Sequence, residues 1–548
     1  MRTIRPLILA TLTVLINGIM VRDASGAETQ TPTQPQKASV PEVPAPQAAA
    51  VAAPEAHFDI HEYRVLGNTT LATRDIERLL YPLLGDHKTI ADVEVARAAL
   101  EKAYHDRGFA TVFIDIPEQD VADAVVRLKV TEGRLREVRI SGARYFSERK
   151  ILAAVPAAAA GTVPNVTQLQ AELTAVNVQT ADRNVVPILK AGPLPGTVDL
   201  NMKVDDHLPV HGSLDLDNQY TPNTETMRAN VSLSYANLFG ELDNLSVQYQ
   251  TTPQDTHQVQ VIAANYAWGP IWGSLHPSLS FIDSNSNVPA ISTLGVLGKG
   301  QIYSGRLSFA LTDAPGMPHS ITLGADYKHF LENIALPGAP AFNTPISYTN
   351  LSAAYSGMWS SSALAGSFSP SVNFGPRDIP NNPDTFANKR YKAAPNYFYV
   401  RMDASLVAHL PKGFELFLHS TDQFATEPLI TNEQFSITGA GAVRGYLEAE
   451  ELTDSGLFGS VQAQSPTWTL KTLPLGNMFV FYDIGYAYVV DPLPGEVSAI
   501  TLRSTGAGVN LLPGKFVTGV LTWAYPLANG PYTRRADSRL LFFVHGAF

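Results

Sequence analysis

Residues 230–237 read NVSLSYAN and residues 244–250 read NLSVQYQ. In the first, Val231, Leu233 and Tyr235 alternate with Asn230, Ser232 and Ser234. In the second, Leu245, Val247 and Tyr249 alternate with Asn244, Ser246 and Gln248. A period of two puts the apolar set on one face of a strand and the polar set on the other. The polar set is Ser, Asn and Gln, which suits a wet lumen, while the apolar set suits lipid. The same alternation runs through VHGSLDLD (210–217), RLSFAL (306–311), SITLGADY (320–327) and YFYVRMDASLVAHL (397–410), and helical patterns vanish after Pro209. A soluble sandwich or propeller also alternates. Against it stand aromatic residues recurring near strand ends and long polar loops such as GPRDIPNNPDTFANKRYKAAPN (375–396) set between tight turns. The chain also ends RLLFFVHGAF, with Leu540, Phe542, Val544 and Phe548 on one side of a last strand and Phe548 as a C-terminal barrel signal. We therefore expect residues 209–548 to form a transmembrane antiparallel β-barrel, with room for about 16 strands. A barrel that wide encloses a pore unless something fills it.

The region before the barrel has a different texture. Residues 57–132 read strand, helix, helix, strand, strand: FDIHEYRVLGN, then TRDIERLLYPLLGD with Ile76, Leu79, Leu80 and Leu83 at helical spacing, then IADVEVARAALEKAYHDRGF, FATVFIDIPE and DAVVRLKVTEG. Thr73 is the expected N-cap of the first helix and Gly85 its stop. Residues 133–207 repeat the order, with VLGNTTL and ISGARYF at the same strand-to-helix turn, so the two stretches form an internal repeat of small α+β modules.

At the N-terminus, Arg2 and Arg5 precede an apolar run from Leu7 to Met20, and Ser25-Gly26-Ala27 offers a cleavage site. This predicts a secretory signal peptide over 1–27; the alternative, a membrane anchor, needs a longer run. Residues 28–56 are rich in Pro, Ala, Thr and Gln and are expected to be an extended linker. No later run is long enough for a spanning helix, so any membrane span is made of strands. Charged residues are only 16% and the net charge is −11, which argues against nucleic-acid binding. There is no cysteine, so disulfides and thiolate metal sites are excluded.

Enzyme motifs do not hold up. GKGQ at Gly298 and PGKF at Pro513 lack the spacing of a phosphate loop. HEYRV at His61 lacks the second histidine of a zinc helix, and DLDNQY at Asp215 has Gln219 and Tyr220 where a calcium loop needs other residues. We read no catalytic residues, no cofactor and no metal site.

One stretch asks for a different explanation. Residues 439–451 read GAGAVRGYLEAEE, with glycines at 439, 441 and 445 around a single arginine. Downstream, FYDIG occupies 481–485 of a strand-like segment. With NLFGELDNLSV (237–247), these motifs resemble those of the two-partner secretion transporters of Gram-negative outer membranes, the TpsB exporters of haemolysins and haemagglutinins (ShlB/FhaC/HecB-like). The resemblance covers residues 57–548. It implies two POTRA domains (57–132 and 133–207) in the periplasm, a barrel with a lumen-folded loop at 439–455, and export of a TpsA-like secreted client, with haemolysin secretion or activation as the type case. It implies that Arg444 of Val443-Arg444-Gly445-Tyr446 pairs with Asp483 of Phe481-x-Asp483-x-Gly485. It also implies contact with outer-membrane lipid and lipopolysaccharide, and with the outer-membrane assembly machinery during biogenesis. Two departures matter: Gln462 and Gln464 stand where many relatives carry a glutamate, and no plug helix is evident in 28–56. An assembly factor of the same superfamily, which inserts strands into the bilayer, or a passive porin is the alternative reading.

Overall fold

The computed structural model describes residues 57–548 apart from 122, 287–297, 312–316, 332, 335–341, 378, 380, 471–472, 513 and 515. The expected signal peptide and linker lie outside the described residues. The chain divides into two compact units, one ending at Pro209 and one comprising Val210–Phe548.

In the first module the central strand Val125–Glu132 runs parallel to Glu62–Leu66 and antiparallel to Val112–Asp115. Helices Thr73–Leu80 and Ile90–Asp106 cover one face, and Ile76, Leu80, Val93, Leu100 and Tyr104 pack on Val126, Leu128 and Val130. Two local expectations change. The segment FDIHEYRVLGN breaks near His61, and its first part, Phe58–Ile60, pairs instead with Gly85–Lys88, so Gly85 begins a strand rather than ending a helix. Thr73 is the first helical residue and Ala72 the cap, while the Asn68 side chain takes the Leu71 amide.

The second module repeats the plan with Arg134–Ser141, Glu148–Ala153, Val166–Val178, Arg183–Ala191 and a central Thr197–Asp206. One device recurs at the same place in both. After the first main-sheet strand comes a glycine with positive φ, Gly67 at +86° and Gly142 at +92°. A Cβ there would lie 2.4 Å from the Val130 carbonyl oxygen or 2.3 Å from that of Val204, so only glycine fits. The last strand of each module then ends in a buried acid that gathers the turn's amides. Glu132 accepts from the amides of Thr69 at 2.7 Å and Thr70 at 2.9 Å, and Asp206 accepts from those of Arg144, Tyr145 and Phe146 at 2.8–3.2 Å.

The second unit is a closed antiparallel barrel of sixteen strands, with a short spur, Trp468–Leu470, beside them. The first strand, Val210–Asp217, pairs on one side with Arg228–Ala236 and on the other with the last, Arg539–Ala547. The main chains of Phe548 and Gly212 exchange two hydrogen bonds, and a Cβ on Gly212 would strike the Phe548 ring. Alternation sorts the faces. Val231 and Leu233 are exposed outward, while the hydroxyls of Ser213 and Ser232 meet inside at 2.6 Å. The inward acid Asp215 meets His545 at 2.5 Å. Helix does return after Pro209: Pro383–Lys389 forms a short helix within the 375–397 connection, capped by Asn382, whose side chain accepts from the Asp384 amide.

Candidate functional site in the barrel lumen

The strand Leu473–Tyr488 is held on both sides, by Ser455–Gln464 and by Ala499–Leu511. Its alternation turns Val480, Tyr482 and Ile484 outward and Phe481, Asp483 and Gly485 inward. Asp483 is fully buried and accepts a hydrogen bond from Ser460 Oγ at 2.7 Å. A buried carboxylate needs a counter-charge or a full set of donors, and the lumen supplies both.

They come from the connection 426–454, which runs between strands Glu415–Ala425 and Ser455–Gln464 and lies against the inner wall. Arg444 Nε donates to Asp483 Oδ2 and Nη2 to Oδ1, each at 2.8 Å, and the Arg444 amide adds a third bond to Oδ2 at 3.1 Å. This is the bidentate fork that suits guanidinium to carboxylate. Two of the three remaining N–H groups are also used, one on Nη1 by Gln462 Oε1 at 2.8 Å and one on Nη2 by Ser460 Oγ at 3.0 Å. A neutral amide thus serves at 462. The Arg444 guanidinium carbon lies 3.5 Å from the Phe481 ring centroid, a cation–π contact. All three inward residues of FYDIG are now accounted for: Phe481 takes the face of the cation, Asp483 takes its charge, and Gly485 leaves room. A Cβ on Gly485 would lie 2.9 Å from Val443 and 3.0 Å from Ile437.

The neighbours of Arg444 fix its position. Val443 is fully buried with Phe435, Ile437, Phe458 and Leu502. Gly445 has φ +95° and backs onto Ala524 and Pro526, whereas Gly441 needs no left-handed backbone and faces open space. The Tyr446 hydroxyl lies within hydrogen-bond distance of the Arg503 and Ala528 carbonyls, at 3.1 and 2.8 Å, and Arg539 donates to the Tyr446 carbonyl at 2.8 Å. Phe548 stands apart from this cluster, at the barrel seam.

The sequence reading missed three further acids of the same connection. Glu450 accepts from the amides of Tyr532 and Thr533, both at 2.7 Å. Glu433, 2% exposed, receives Lys328 Nζ and Tyr348 OH at 2.5 Å and Tyr399 OH at 2.8 Å. Asp454, fully buried, pairs with both terminal nitrogens of Arg390 and accepts the Leu429 and Val490 amides. Spacing gives no warning of these contacts, although Lys328 and Tyr399 could have been flagged as inward residues of alternating strands. On the surface of the first module, His61 meets Asp86 at 3.3 Å beside Asp59, all three exposed.

Fold and lumen together define an outer-membrane β-barrel with amino-terminal α+β modules and an occupied interior. Residues 58–133 match the POTRA domain, ShlB-type, and residues 196–511 match the haemolysin secretion/activation protein ShlB/FhaC/HecB. The chain is 22% identical over 488 residues to the outer membrane transporter CdiB of Dickeya dadantii, covering 86% of this chain and 83% of that protein. It is 24% identical over 486 residues to CdiB of Escherichia coli O6:K15:H31, covering 86% and 79%. Among solved structures, CdiB from Escherichia coli aligns with a TM-score of 0.57 at 21% identity over 92% of this chain and 93% of that one. BamA from Haemophilus ducreyi lacking POTRA domains 1–3 aligns with a TM-score of 0.57 at 12% identity over 90% and 100%, a likeness of fold alone. The family match spans more than half of the chain, and the chain belongs to the haemolysin secretion/activation family ShlB/FhaC/HecB. It is a two-partner secretion translocator of the outer membrane, with its POTRA region in the periplasm and a secreted TpsA-like client as its partner.

Proposed function

We propose that the client is captured unfolded by the periplasmic modules, threads the barrel, and passes only when connection 426–454 yields its place in the lumen. The Arg444–Asp483 contact is read as a positional latch on that connection. The observation that carries this reading is the occupied lumen: a segment held to the wall by a buried, bidentate ion pair is both well placed and releasable as a unit. Capture is by strand addition, in which an extended client borrows backbone donors and acceptors from a sheet edge. The candidate edges are Glu62–Leu66 in the first module and Arg134–Ser141 in the second; Pro187 blunts Arg183–Ala191 by removing an N–H. We assign residues 1–27 to a cleaved signal, 28–56 to a linker, 57–132 and 133–207 to the two modules, and 209–548 to the barrel. Lipopolysaccharide at the outer leaflet and the outer-membrane assembly machinery during insertion complete the partners, and no catalytic step is invoked.

The test is Arg444→Ala in cells that co-express the secreted client. Removing one partner of a buried pair leaves the other uncompensated, at a cost of about 3–5 kcal/mol. The barrel is expected to insert and to keep its folded electrophoretic mobility, while client secretion falls to a small fraction of wild type. Wild-type secretion by this variant would overturn the latch.

A further inference from the structure

Besides the Glu433–Lys328 pair, an arginine–aspartate fork holds connection 426–454 in two places among the described residues, and the Arg444 cluster is one of them. The other lies at its two roots and involves a different segment, the 375–397 connection with its short helix Pro383–Lys389. Arg390, just past that helix, points both terminal nitrogens at Asp454 and donates to the Leu429 carbonyl at 2.6 Å. It thereby touches 426–454 near its start and at its end. Asp454 is fully buried, and its other partners are the neutral Leu429 and Val490 amides and the Gln434 side chain, so Arg390 is the cation paired with it.

The 375–397 connection is itself tied to the wall. Asn381 brackets Thr349, accepting from its amide at 2.7 Å and donating to its carbonyl at 3.1 Å. Tyr397 OH donates to Asn350 Oδ1 at 3.0 Å, and Phe386 meets the Tyr348 ring edge-on at 5.6 Å between centroids. Tyr348 in turn donates to Glu433 of the other connection. Gln423 of the wall donates to the carbonyls of both Glu433 and Asp454 at 3.0 Å, closing the circuit. The two connections interlock around one acid–tyrosine pocket and one ion pair, on wall strands other than those that hold Arg444.

We propose that the 375–397 connection is a second lock on the pore: Arg390 keeps 426–454 in the lumen, and opening requires Arg390 to leave Asp454. The inference rests on the reading that 426–454 gates the pore. The bland alternative is that the pair only packs two loops together without bearing on opening. Charge chemistry argues against it. Loss of Arg390 strands a fully buried carboxylate at the root of the segment, and that root is where the segment must hinge if it moves at all.

The experiment uses the purified full-length chain in planar bilayers with potassium chloride as the probe. Arg390→Ala is expected to raise the open probability by at least roughly tenfold over wild type, and Arg390→Lys, which keeps the charge but loses the fork, by clearly less. The absence of cysteine in the chain allows a second measurement that survives a misfolded alanine variant. Arg390→Cys with Asp454→Cys is expected to be leaky until a short bis-maleimide joins the two thiols, and quiet afterwards. Arg444→Ala run in parallel separates the two readings. If Arg444→Ala opens the pore and Arg390→Ala leaves it at wild-type conductance, the second lock falls and the gate stands. If neither variant opens it, the gate itself falls. Cross-linked protein that stays leaky also overturns the second lock.

Discussion

Both units bury carboxylates completely or nearly so, yet they use them in opposite ways. In the modules, Glu132 and Asp206 accept chiefly from neighbouring backbone amides of a turn in their own domain, and the half-exposed Arg134 that also reaches Glu132, at 3.1 Å, lies on the adjoining strand and not on a loop. In the barrel, Asp483 and Asp454 accept from arginines that belong to loop segments, Arg444 and Arg390. A ring of amides around an acid freezes a local shape and has nowhere to go. A guanidinium on a loop can leave as a unit, taking its segment with it. If 426–454 gates the pore as proposed, burial alone does not mark a moving part; the origin of the donor does.

The largest expected effect comes from making the same carboxylate-to-amide change on the moving side. Asp483→Asn removes the counter-charge and turns one acceptor into an NH2 group facing the Arg444 donors. With Arg444 only 14% exposed, the loss of docking for 426–454 is expected to reach about 3–5 kcal/mol. Limited proteolysis of the detergent-purified chain checks it: cleavage within 426–454 rises sharply while the barrel stays intact. A digestion pattern identical to wild type would place Asp483 with the static acids and erase the contrast.

The two kinds of acid were unequally legible. The alternation of Asn230–Tyr235 is a wall pattern that repeats strand after strand, so the barrel could be read from it. Asp483 was visible because it sits in a motif on such a strand, and its pairing with the upstream arginine motif comes from the family resemblance, not from spacing. Glu433 and Asp454 were invisible because loop acids have no period and their partners are 105 and 64 residues away. The helix Pro383–Lys389 is too short for a periodic stripe, and its local signal is the helix-start pair Asn382-Pro383. The strand Gly85–Lys88 carries no apolar residue at all; it exists through its pairing with Phe58–Ile60 and the His87 amide bonded to Asp59 at 3.0 Å.

On the static side the expected effect is smaller and confined. Glu132→Gln keeps Oε1, which takes both the Thr69 and Thr70 amides, but puts an NH2 group where Oε2 accepts from Thr69 Oγ1 and Arg134 Nη2, leaving a donor facing the Arg134 donor. The expected loss is about 1–3 kcal/mol in the first module, seen as faster hydrogen exchange over residues 68–71. Potassium chloride conductance is expected to match wild type. A leaky pore in this variant would mean that the caps and the latches are coupled and that the contrast between them is too sharp.

The finest test is the pH dependence of that same cap. Burial pushes the Glu132 carboxyl upward, but hydrogen bonds from the side chains and amides of Thr69 and Thr70 outweigh it, and the net pKa lies below the ordinary 4.5. A carboxyl held lower in the folded state than in the unfolded one contributes stability that is complete above the ordinary value and drains away as the pH falls through the folded value. The wild-type module is therefore expected to lose protection over residues 68–71 only below about pH 4.5, whereas Glu132→Gln, having no proton to take up, shows a flatter profile from neutral pH downward. The gap between the two proteins narrows as the medium becomes more acid. Parallel profiles across the whole range would show that the carboxylate charge is irrelevant to the cap and that any amide-sized acceptor serves.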